Sequence, residues 1–92
     1  MITGMQMRAA RALVGLDQKK LAALASVSLP TVQRMEASDG VVRATVDTLM
    51  KIVDALERAG VELIGDNQPS NAGGRGVRLK ERSDNSREIQ TK

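Results

Sequence analysis

The sequence predicts a mainly α fold: four helices, the second and third forming a helix-turn-helix, followed by a short C-terminal β-hairpin. Three observations predict it. Apolar residues recur at helical spacing through residues 3–14, 18–25, 29–37 and 45–59. A side chain suited to capping a helix start, Thr3, Asp17, Ser28 or Thr45, stands at the head of each stretch. Two short β-like runs then follow, at 61–64 and 76–79.

The first helix carries Met7, Ala10 and Val14 on one face, with Arg8 and Arg11 three residues apart, and Gly15 ends it. The ordinary reading of both arginines is a solvated helix face. Leu16 plugs the junction to the second helix, Gln18 to about Ala25, where Leu21, Ala22 and Ala25 share a face. Lys19 and Lys20 at its start oppose the helix dipole. They serve either solubility or a phosphate that meets the helix start. Ser26-Val27-Ser28 is a turn so tight that the two helices must cross steeply, and Ala22 permits close approach there.

In the third helix, residues 29–37, Val32 and Met35 point inward, and Pro30 suits the first turn because amides there lack intrahelical partners. Leu29 borders the inward stripe, and with Pro30, Gln33 and Arg34 it completes the outward set. Asp39-Gly40 is a turn signal in the loop 38–45. The fourth helix presents Leu49, Ile52, Val53, Leu56 and Ala59 to the core, with Gly60 as its natural stop, while Val46 and Met50 widen the stripe and could reach a partner subunit. In the hairpin, Val61 and Leu63 share a face, as do Val77 and Leu79. A hairpin alone is marginal in water, so it should pack on helix four or pair across a dimer. The Gly-rich stretch between its strands should be mobile. Residues 80–92, with Ile89 as the single apolar side chain, should be a disordered polar tail.

Composition excludes much. The 92 residues, enough for one small domain, contain no Cys, no His and no aromatic side chain. Disulfides, thiolate metal sites and the commonest general base are thereby removed, so neither catalytic nor metal-binding residues are expected, nor any cofactor. Stacking platforms for single-stranded nucleic acid are removed as well. The net charge of +3 is weak: residues 1–65 carry eight basic against seven acidic side chains. Charge alone therefore does not make a nucleic-acid binder. No apolar run is long enough for a membrane span or signal-peptide core, so a cytoplasmic protein without membrane attachment is expected.

The stretch QKKLAALASVSLPTVQRME, residues 18–36, resembles the Xre/Cro/C1-type repressors. Their pattern is Gln-x-x-Leu-Ala, a Gly-Val-Ser-like turn, then Thr-(Ile/Val)-x-x-hydrophobic-Glu. The flanks RAARALVGLDQ and TLMKIVDALERAGV match too, so the resemblance spans roughly residues 5 to 60. The GVEL…GVRL ending is similar to that of small bacterial members. The resemblance implies a lambda-repressor-like four-helix DNA-binding domain over residues 3–60, with the hairpin at 61–79. It implies a structural ion pair between Arg11 and Glu36, a Gln18 that touches phosphate and braces the recognition helix, and a phosphate contact for Arg43. Ser26 departs from the pattern, since Gly usually opens the turn. A left-handed non-Gly residue costs roughly 1 kcal/mol.

The function expected is sequence-specific binding of double-stranded DNA by a transcriptional regulator, a repressor that occupies its operator as a homodimer. Helix 29–37 would enter the major groove. Arg34 can take guanine and Gln33 adenine or a phosphate, Leu29 and Pro30 can touch a thymine methyl, and Ser28, Thr31 and Lys19 would hold phosphate. For Gln33 and Arg34 the ordinary reading is an exposed helix surface. Two other functions fit the same fold. An antitoxin would bind its promoter and also a toxin, and an interaction module would have kept the fold but lost DNA, with a toxin or an anti-repressor as protein partner. The apolar start of helix three and Asp39 favour the second.

Overall fold

The structure is a computed structural model that describes residues 2–65 and 73–80. Four helices run in order: α1 (Gly4–Leu13), α2 (Gln18–Ala25), α3 (Leu29–Glu36) and α4 (Val46–Ala59). Strands β1 (Val61–Ile64) and β2 (Gly76–Leu79) complete it. Among the described residues, no helix is long and apolar enough to cross a membrane. The mobile stretch expected between the strands lies largely at 66–72, outside the described residues, and so does the tail at 81–92.

Each helix starts where a side-chain oxygen takes up a first-turn amide. Thr3 accepts from the Gln6 amide while the Gln6 side chain accepts from the Thr3 amide, a reciprocal capping box that the sequence spells as Thr-x-x-Gln. Asp17, Ser28 and Thr45 accept from the amides of Lys20, Thr31 and Thr48. The stops are equally local. Val14 and Ala37 are the C-cap residues of α1 and α3, and Gly60 ends α4 at φ 109°, a conformation that needs no side chain.

The core lies where α1, α2, α3 and α4 meet. Met7, Leu21, Val32, Met35, Ile52 and Leu56 are all at most 1 % exposed, so methionine and aliphatic side chains fill the interior that aromatics would fill elsewhere. On α4 the buried set is Leu49, Ile52, Ala55 and Leu56; Val53 and Ala59 are only half-buried. Ala55 was not marked by the spacing, and its burial rotates the face slightly.

The strands pair antiparallel, Val61 with Leu79 and Leu63 with Val77. Val61 is fully buried, and Leu63 and Val77 pack against the core. β1 lies on α4 and α1, and β2 on α1. Gln6 fastens the hairpin to α1: its amide nitrogen donates to the carbonyls of Ile64 and Gly76, each at 3.0 Å. Lys80, grouped with the tail on sequence, is tied into the hairpin through its amide, which donates to the Gly60 carbonyl at 2.8 Å.

Candidate nucleic-acid interface

The turn between α2 and α3 fixes how α3 is presented. Ser26 sits at φ 59°, ψ 43°, the left-handed conformation its sequence position implies, and it is the one described non-Gly residue with positive φ. Its amide and that of Val27 return to carbonyls of α2, with Val27 reaching Ala22 at 3.0 Å. The chain therefore reverses in three residues. Ser28 then opens α3, its hydroxyl 2.8 Å from that of Thr31. Pro30 has no amide proton, and the Thr31 and Val32 amides donate to Ser28, so the hydroxyl pair and the Leu29 amide are the donors this end can offer a phosphate oxygen.

The inner face of α3 is held in two ways. Val32 and Met35 pack into the core. Glu36, only 2 % exposed, is held by charge and hydrogen bonds. Arg11 meets it side-on, and Gln18 donates to the same carboxylate at 2.9 Å. The Arg11 guanidinium also donates to the Leu16 carbonyl at 3.1 Å, so α1, the α1–α2 junction, α2 and α3 meet at one buried acid. The bond to Glu36 raises the Arg11 pKa from its ordinary value, against the opposing effect of burial. Arg8, read on sequence as solvated, donates to the backbone carbonyl of Glu36 at the end of α3. Sequence spacing gave no sign of that role, although a helix C-terminus with unpaired carbonyls attracts cations.

The outer face is open. Pro30, Gln33 and Arg34 are exposed and Thr31 is half-buried. Among the described residues, the side chains of Gln33 and Arg34 have no hydrogen-bond or ion-pair partner. Leu29 differs: it is half-buried and packs against the core, so the start of α3 presents less apolar surface than its sequence implies. Lys19 is exposed at the start of α2, and Gln18 beside it is half-buried because it reaches inward to Glu36. Arg43 is exposed in the loop after α3, next to the buried Val42 and four residues past the exposed Asp39.

The geometry thus brings together one rigidly mounted helix, with hydroxyls and the Leu29 amide at its start and Gln33 and Arg34 free along its outside. Such a surface can accept phosphates at one end and offer hydrogen-bond forks to base edges along its length. Residues 7–63 match the helix-turn-helix family of the Xre/Cro/C1 type, a span that runs from Met7 in α1 through Leu63 in β1. No curated protein matches the chain.

Proposed function

The chain belongs to the Xre/Cro/C1-type helix-turn-helix family of DNA-binding transcription regulators, and from that premise we propose that it represses transcription by occupying an operator as a homodimer. In each protomer α3 lies in a major groove, and the two copies read half-sites about one helical turn apart. Arg34 pairs with guanine O6 and N7, and Gln33 reads adenine or a phosphate. Gln18, Lys19, Ser28, Thr31 and Arg43 hold phosphates and set the register, while Pro30 and the rim of Leu29 touch thymine methyls.

The observation that carries this reading is the division of α3 into two faces. Val32, Met35 and Glu36 are buried to within 2 %, and Gln33 and Arg34, between them in sequence, are exposed. A helix anchored so firmly on one side presents its outer side chains with little ordering cost, which favours sequence readout. The half-burial of Leu29 counts against the protein-interaction reading, since it shrinks the apolar patch that reading relied on.

The test is recovery of genomic DNA fragments on the purified protein, repeated with Arg34→Ala. An inverted repeat recovered by the unaltered protein and lost with Arg34→Ala is the expected result. Failure to retain any fragment at low salt overturns the proposal.

A further inference from the structure

The segment that leaves α3 and leads to Arg43 is fastened along its length to the start of the chain. The Val42 amide donates to the Ile2 carbonyl at 2.9 Å, and Thr3 and Val41 form an isolated antiparallel bridge. The Gly4 amide donates to the Gly40 carbonyl at 3.2 Å, and Arg8 donates to the Glu36 carbonyl. Ile2 and Val42 add side-chain burial, at 7 % and 3 % exposed. Residues 2–6 lie outside the stretch that matches the family.

Gly4 is at the centre of this contact. A Cβ added there would stand 2.7 Å from the Ser38 carbonyl oxygen, 2.8 Å from that of Glu36 and 3.1 Å from that of Met35. All three are backbone atoms at the end of α3 and just beyond it, so they cannot swing aside as a side-chain tip would. Gly4 lies in the first turn of α1 and is not among the positive-φ glycines. Its conformation therefore suits any residue, and alanine would be the better helix former. What requires glycine is space. The close approach also sets the positive end of α1 against the negative end of α3.

We propose that Ile2, Thr3 and Gly4 form a seat that fixes the end of α3 and the 38–43 loop, with Gly4 the positioning residue that places Arg43 against the DNA backbone. The proposal rests on the DNA-binding reading above. Arg43 follows Gly40, which has φ 110°, and the exposed Val41. A loop so built needs external fastening to hold a cation at one place. Without the seat, the entropy of ordering the loop would be charged against the phosphate contact.

The experiment compares Gly4→Ala, Arg43→Ala and the double variant. Affinity for a mixed-sequence DNA duplex of about two helical turns is measured over a salt series. Amide hydrogen exchange is followed on the same proteins. Arg43→Ala should flatten the slope of log K against log salt by about 0.9 per protomer. Gly4→Ala should flatten it by a similar amount, and the double variant by no more than Arg43→Ala alone. In Gly4→Ala the Val42 amide should exchange about tenfold faster or more, while amides of α2 and α4 keep their protection. An unchanged slope in Gly4→Ala, an additive loss in the double variant, or an unchanged Val42 amide overturns the proposal.

Should Gly4→Ala fail to fold, Ile2→Ala trims the buried side chain of the seat without adding an atom. It should speed exchange over residues 37–42, and unchanged exchange there overturns the seat. If the unaltered protein retains no duplex at low salt, the DNA-binding reading fails and the placing of Arg43 on DNA fails with it. The exchange data then separately uphold or overturn the seat.

Discussion

Arg11 meets Glu36 through two parallel hydrogen bonds, Nε to Oε2 at 2.8 Å and Nη2 to Oε1 at 2.9 Å. The pair is unequally buried: the Arg11 side chain is 21 % exposed and that of Glu36 only 2 %. Losing the arginine therefore strands an acid that water cannot reach. Arg11→Ala should destabilise the protein by about 3 kcal/mol, the lower end of the range for breaking a buried pair. Arg8→Ala, which removes a part-buried bond from an exposed arginine to a carbonyl, should cost about 1 kcal/mol. Chemical denaturation of the two variants checks the difference, and equal stabilities would remove the buried pair from the account.

The same pair sets an expectation for pH. The bond to Glu36 holds the Arg11 pKa above its ordinary value in the folded state. A raised folded pKa gives stability that is complete below the unfolded pKa and is lost only as pH rises through the folded one. Both lie above the range in which proteins are ordinarily studied. A double-mutant cycle on Arg11 and Glu36 should thus give one coupling energy at about pH 7 and at about pH 10. A coupling that falls between those values would show that another group shares the interaction.

Ser26 offers a stabilising change. At φ 59° it holds a conformation that costs a non-Gly residue roughly 1 kcal/mol. Ser26→Gly removes that strain, although glycine also loosens the unfolded chain and offsets part of the gain. A net gain of about 0.5 kcal/mol is expected, raising the melting temperature by about 2–4 °C for a domain of this size. A clear fall would mean that the serine hydroxyl makes a contact worth more than the strain.

Arg34 and Lys19 should separate two kinds of DNA contact. Arg34→Ala should remove about 1–3 kcal/mol of discrimination at one base pair, measured as the affinity ratio between the operator and a singly altered operator. Lys19→Ala should instead weaken all duplexes alike and flatten the salt slope by about 0.9 per protomer. The reverse pattern would exchange their roles.

What was legible in the sequence was mostly local chemistry. Thr3, Asp17, Ser28 and Thr45 announce helix starts because a cap works within three residues, and Gly60 announces a stop for the same reason. The left-handed turn at Ser26 was legible through the resemblance, in which Gly usually opens the turn. The alternation of Val61 with Leu63 and of Val77 with Leu79 matches the observed register, which pairs Val61 with Leu79 and Leu63 with Val77, but Leu79 stands 52 % exposed at the end of its strand and does not join the core. What was not legible depends on distance along the chain. Ala55 carries too little hydrophobic signal to announce its burial. Arg8 reaches a carbonyl 28 residues away, and Ile2 meets Val42 only because α3 ends where α1 begins. Leu29 stands on the border between two faces, and only the packed helix decides how far it turns in.

Gln6 shows the consequence most directly, because it joins parts of the chain 58 and 70 residues apart. It is 6 % exposed and fully used: the nitrogen donates to the Ile64 and Gly76 carbonyls, and the oxygen accepts the Thr3 amide at 2.9 Å. Gln6→Ala removes three hydrogen bonds and should cost about 2–4 kcal/mol. A two-stranded hairpin is marginal alone, so the loss should appear first as faster exchange of amides in β1 and β2, with those of α2 and α3 retained. Gln6→Glu is the sharper test. A carboxylate there would face two carbonyl oxygens with no proton to offer, so this variant should be less stable than Gln6→Ala near neutral pH. Protonation would restore one donor, which raises the folded pKa of the new acid above its unfolded value. The stability of Gln6→Glu should accordingly recover as pH falls toward about 4, relative to the unaltered protein. A Gln6→Glu protein that matches the unaltered one at neutral pH would show that the hairpin stands without this side chain.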